Sequence, residues 1–97
     1  MGDTPAMGHR VRLVVHGRVQ GVGFRYAARE AAALCGVAGW VRNLSDGTVE
    51  IVAQGSAEAI EAMRLWAEEG PRHAAVERVL VDRLEPGDAL STFDIRR

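Results

Sequence analysis

The chain has 97 residues, a formal net charge of −1 at pH 7 and 47% hydrophobic residues. That length makes one small domain, and that apolar share is typical of globular chains and too high for disordered ones. No apolar run approaches the roughly 20 residues of a membrane span, and near-neutral charge speaks against general nucleic-acid binding, which relies on excess positive charge.

Residues 1–8 lack the apolar centre of a secretory signal and are expected to form a disordered tail, with a single domain over 9–97. Val11 to Val15 is aliphatic on both faces and predicts a central strand. It runs into Gly17-Arg18-Val19-Gln20-Gly21-Val22-Gly23-Phe24-Arg25, a loop whose glycines permit tight turns and close ligand approach. Phe24, Ala27, Ala28, Ala31 and Cys35 then recur at helical spacing, and Gly36 is placed to end that helix. Val37 to Arg42 predicts a second strand, Asn43-Leu44-Ser45-Asp46-Gly47 a turn, and Thr48 to Ala53 the returning strand of a hairpin.

Gly55-Ser56 opens a second helix, with Ser56 as cap, Glu58 in the first turn and Ile60, Met63 and Ala67 as the inner stripe. Gly70-Pro71 stops it. A strand from about Val76 to Leu84, the turn Pro86-Gly87 and a short strand from Thr92 to Arg96 complete the chain. The order β-α-β-β-α-β implies an α+β, ferredoxin-like split β-α-β sandwich: an antiparallel sheet with two helices on one face, plus a small extra strand. That fold hosts enzymes, RNA binders and metabolite sensors alike.

The glycine loop directs unpaired backbone N–H groups into a helix N-terminus, which suits a phosphate. The amides of Gln20, Gly21, Val22, Gly23, Phe24 and Arg25 are the candidate phosphate-binding groups, and the Arg25 guanidinium can grip two phosphate oxygens. All twelve strongly basic residues are arginine, so the choice of Arg over Lys at one position carries little information. Cys35, the only cysteine, excludes an internal disulfide or a cysteine-built zinc site, and makes a cytoplasmic address the expectation. His9, His16 and His73 are scattered, and no Ser or Cys sits on a nucleophile elbow. Cys35 is read as a buried hydrophobe, Trp40 and Trp66 as packing residues, His16 as structural at a strand end, and Arg18 and Arg42 as surface charges.

Val15-His16-Gly17-Arg18-Val19-Gln20-Gly21-Val22-Gly23-Phe24-Arg25 resembles the first signature of the acylphosphatase family. Gly39-Trp40-Val41-Arg42-Asn43-Leu44-Ser45-Asp46-Gly47-Thr48-Val49, continuing to Gly55, resembles its second. The similarity runs from about Arg10 to Arg96, leaving the tail and the Arg-Arg C-terminus unmatched. The resemblance implies hydrolysis of the carboxyl–phosphate bond of small acyl phosphates, without metal or cofactor. It implies that Arg25 and the loop amides bind phosphate, while Asn43 positions the attacking water.

An acyl phosphate suits so small a kit because its leaving group is a carboxylate, stable as an anion with a pKa of about 4. Phosphoryl transfer then needs positioning and charge stabilisation more than acid catalysis. Inorganic phosphate and sulfate are the expected competing ligands, and a monomer without nucleic-acid or membrane partners is expected. Three rivals remain. One is a carbamoyl-phosphate-handling domain of a larger carbamoyltransferase, against which Met1 and the completed set of elements speak for a free-standing chain. Another is an RNA-binding ferredoxin-like domain, disfavoured because the chain has two Trp, one Tyr and two Phe in all. The third is a non-catalytic phosphate-metabolite sensor, which would have no need of Asn43.

Overall fold

The computed structural model describes residues 8–97, so the tail expected over 1–8 lies outside the described residues except for Gly8. The elements are β1 (His9–Arg18), α1 (Phe24–Cys35), β2 (Ala38–Asn43), β3 (Val49–Gly55), α2 (Ala57–Glu69), β4 (Ala75–Leu84) and β5 (Phe93–Arg96). Local chemistry sets the helix ends. Ser56 Oγ accepts a hydrogen bond from the Ala59 amide at 3.0 Å, and Glu58 occupies the first turn of α2, where the helix dipole favours an anion. Gly36 closes α1 in the left-handed conformation, its N–H bonding the Ala32 carbonyl.

The sheet order is β4-β1-β3-β2-β5. The first four strands pair antiparallel, as expected, whereas β5 joins β2 in parallel, so the sheet is mixed. Alternation along the strands sends Val11, Leu13, Val15, Val41, Val49 and Ile51 into one core with Phe24, Ala28 and Ala32 of α1 and Ala59, Met63 and Ala67 of α2. Leu13 and Ile51 are completely buried, each contributing roughly 1.5–3 kcal/mol by leaving water. The alanines on the helix faces let both helices sit close to this sheet.

Two details differ from the periodicity reading. The inner stripe of α2 is Ala59, Met63 and Ala67, while Ile60 is only half-buried on its flank. Cys35 is likewise half-buried against the core, being the last residue of α1.

The opposite face of the sheet carries a charged cluster. Arg12 Nε and Arg42 Nε donate to the two oxygens of Glu50 at 2.6 and 2.7 Å, and Trp40 Nε1 adds a third, longer contact at 3.4 Å. The Arg96 guanidinium lies 4.0 Å from the centroid of the Trp40 ring. Trp40 therefore packs as a platform for a cation rather than in the apolar core.

Candidate active site

The loop after β1 is shaped by close packing at its start and backbone freedom at its end. Gly17 lies at an irregularity in the β1–β4 pairing, where the register shifts between His16 and Gly17. A Cβ there would collide with the carbonyl oxygen of Ala75, so no larger residue fits without moving β4. Val19, 1% exposed, then pins the loop to the core. The Gln20 side chain does not face the loop interior; its Nε2 donates to the carbonyls of Leu44 and Thr48, each at 2.8 Å. The loop is thereby tied to the β2–β3 turn.

Gly23 is the N-cap of α1, held at φ 78°, and no side chain caps this end. The first intrahelical bond runs from the Ala27 amide to the Gly23 carbonyl at 3.1 Å, which leaves the first-turn amides of Phe24, Arg25 and Tyr26 without intrahelical partners. No acidic residue occupies that turn. Phe24 is 2% exposed and packs edge-on against Trp66, with ring centroids 5.2 Å apart. This anchor fixes the first turn and leaves Arg25 half-buried at the surface. Free amides, helix dipole and guanidinium are the chemistry that suits an anion.

Asn43 ends β2, opposite Val49, and shares with Val41 the helix-bearing face of the sheet. The turn beyond it is clasped by Asp46, whose Oδ1 accepts from the Thr48 hydroxyl at 2.6 Å and the Thr48 amide at 3.0 Å. These bonds, the hydroxyl's first, hold the Asp46 carboxyl below its ordinary value of 3.8. Asn43 therefore stands on a stiff hairpin end, itself braced by Gln20.

Arg25 and Asn43, from different elements, line one open cleft of about 490 Å3 together with Tyr26, Ile95 and Arg97. Sequence reasoning missed Tyr26, Arg97 and the bracing role of the Gln20 side chain. The only signal for Arg97 was the alternation of β5, and that is uninformative until its register with β2 is known. His16 lies on the other face of the sheet from Asn43, and its Nε2 is buried with no hydrogen-bond partner among the described residues. Arg42 also points to that other face, paired with Glu50. Among the described residues no group of three or more His, Cys, Asp and Glu converges as a metal site.

A split β-α-β scaffold of two helices on a five-stranded sheet, with a guanidinium at an uncapped helix N-terminus and a strand-end amide lining one cleft, defines an α+β domain of the ferredoxin-like class. The sequence model of the acylphosphatase family matches residues 11–95. An acylphosphatase of Synechococcus sp. (strain CC9311) is 48% identical over 90 residues, which is 93% of this chain and 99% of the relative. The crystal structure of acylphosphatase from Bacillus subtilis superposes with a TM-score of 0.88 at 35% identity, covering 92% of this chain and 99% of that one. Full-length HypF, in its phosphate- and nucleotide-bound form, matches all of this chain with a TM-score of 0.80 and 25% identity, but over only 13% of its own length. The chain belongs to the acylphosphatase family, a family of hydrolases.

Proposed function

We propose that this chain hydrolyses small acyl phosphates to a carboxylate and inorganic phosphate, using Arg25, the loop amides from Gln20 to Arg25, and Asn43. The observation that carries the reading is the meeting of Arg25 and Asn43 in one cleft. The amides and the Arg25 guanidinium hold the phosphoryl oxygens and neutralise their charge. Asn43 orients a water in line with the bond to be broken, and a neutral amide does so without repelling the phosphate dianion. Water oxygen bonds to phosphorus as the phosphorus–acyl oxygen bond breaks. The carboxylate leaves with the electron pair, and the water proton passes to the phosphate.

Metal independence follows from that leaving group, since a carboxylate with a pKa of about 4 departs without acid or Lewis-acid help. A monomer is proposed, because Arg25 and Asn43 meet within a single chain and the mechanism needs no second copy. No helix among the described residues is long and apolar enough to cross a membrane, which accords with a cytoplasmic address.

The test is turnover of benzoyl phosphate or acetyl phosphate by purified protein with a metal chelator present. Hydrolysis is expected, with little activity on alkyl phosphate monoesters, whose alkoxide leaving groups need the acid or metal missing from the mechanism. Activity lost to chelator and restored by magnesium or zinc would overturn the mechanism. Phosphate binding without any turnover would favour the sensor reading.

A further inference from the structure

Two adjacent arginines end the chain, and the fold separates them. The parallel register pairs Arg42 with Arg96, the last residue of β5, and Arg97 follows Arg96 as Asn43 follows Arg42. Side chains alternate along a strand. Arg96 therefore lies over Trp40 on the open face, while Arg97, just past the end of β5, lines the cleft with Arg25 and Asn43. Arg97 stands two residues beyond the segment matched by the family model, so the family match assigns it no role. No carboxylate side chain lines the cleft, and among the described residues neither Arg25 nor Arg97 is in an ion pair with one.

We propose that Arg97 is a second cationic ligand of the transferring phosphoryl group, working across the cleft from Arg25. The proposal rests on the reading of this cleft as the phosphoryl site. Two guanidiniums lining one cleft repel each other, an effect that the α-carboxylate of Arg97 offsets only in part, and a dianion between them turns that repulsion into attraction. The position suits the chemistry. Asn43 holds the incoming water on one side of phosphorus, so a cation next to Asn43 reaches equatorial oxygens from that side without blocking departure of the acyl group. Charge on those oxygens is what a loose transition state leaves to be stabilised.

The experiment measures inorganic phosphate binding by calorimetry, and benzoyl phosphate turnover, for the intact protein and for Arg97→Gln, Arg97→Lys and Arg29→Gln. Arg29 is the field control: it is exposed on α1 and stacks on Tyr26 with its guanidinium 5.5 Å from the ring centroid, outside the cleft. The expected result for Arg97→Gln is about a tenfold weaker phosphate Kd and a similar fall in kcat/KM, the loss of one charge-assisted contact. Arg97→Lys recovers part of both, because it keeps the charge, and Arg29→Gln stays within twofold. Phosphate affinity unchanged in Arg97→Gln would overturn the proposal, as would an equal loss in Arg29→Gln, which would reduce the effect to net charge. If the unaltered protein binds phosphate but hydrolyses nothing, the proposed hydrolysis falls. Arg97 as an anion ligand is then still decided by the Kd values.

Discussion

In the proposed mechanism Arg25 and Asn43 act on different parts of one event, and mutation should separate them. In that mechanism Arg25 touches the phosphoryl group in both ground and transition states, so Arg25→Ala should weaken inorganic phosphate binding and slow turnover together. Arg25→Lys also does poorly, because an ammonium cannot supply two parallel hydrogen bonds to two oxygens. Asn43 is assigned to the water, so Asn43→Ala leaves phosphate affinity nearly intact and lowers kcat by about 100-fold. Phosphate titration of each variant beside steady-state kinetics checks the split; an Asn43→Ala protein with normal kcat removes Asn43 from the mechanism. His16, the nearest histidine in sequence to the loop, would not replace it, since strand alternation sets it on the far face of the sheet. Gln20 shows how one side chain can serve a site without meeting the ligand: its two bonds to the Leu44 and Thr48 carbonyls keep the loop and Asn43 in mutual position.

The element that holds Asn43 is braced from behind. Glu50, on β3, is 5% exposed and accepts from Arg12 and Arg42, and Arg42 immediately precedes Asn43 in β2. Burial pushes the Glu50 carboxyl up, but the hydrogen bonds and charges of the two guanidiniums outweigh it and hold the group below its ordinary value of 4.5. A carboxyl depressed in the folded state stabilises the fold above its unfolded pKa, and that contribution is lost as pH falls through the lower folded value. Glu50→Gln should therefore cost about 1.5–3 kcal/mol at neutral pH and flatten the decline of stability on the acid side. Urea unfolding of both proteins from neutral pH down to about pH 3 measures this. Asp46, depressed by its Thr48 bonds, acts in the same direction, so some acid slope survives in the variant. Parallel acid limbs would show that Glu50 is not a source of the pH dependence.

At the scale of the whole molecule, the candidate site exists only when the fold is complete, because its groups come from the first turn of α1, the end of β2 and the end of β5. An anion that binds there binds the folded state and not the unfolded chain. Phosphate at about a hundred times its Kd should then add about 2.7 kcal/mol of stability and raise Tm by about 10–20 °C. Sulfate should do the same, whereas chloride at matched ionic strength should not. Thermal unfolding unmoved by saturating phosphate would count against the cleft as an anion site.

Much of this architecture was legible in order of residues alone. Strand alternation and helical spacing mark the core faces, Ser56 and Gly36 mark helix ends, and the glycine loop before Arg25 announces an anion site because these signals depend on near neighbours. Asn43 was legible too, as a strand end before a turn within a recognisable signature. What the tertiary structure decided is non-local. The parallel addition of β5 to β2 depends on pairing between distant segments, and its register determines that Arg96 stacks on Trp40 while Arg97 enters the cleft. A shift by one residue would exchange them. The tie from Gln20 to the hairpin turn arises in the same way, from a side chain near position 20 meeting carbonyls that only folding brings within 2.8 Å. Local pattern states which residues can face a site; the phase of strand pairing decides which of them do.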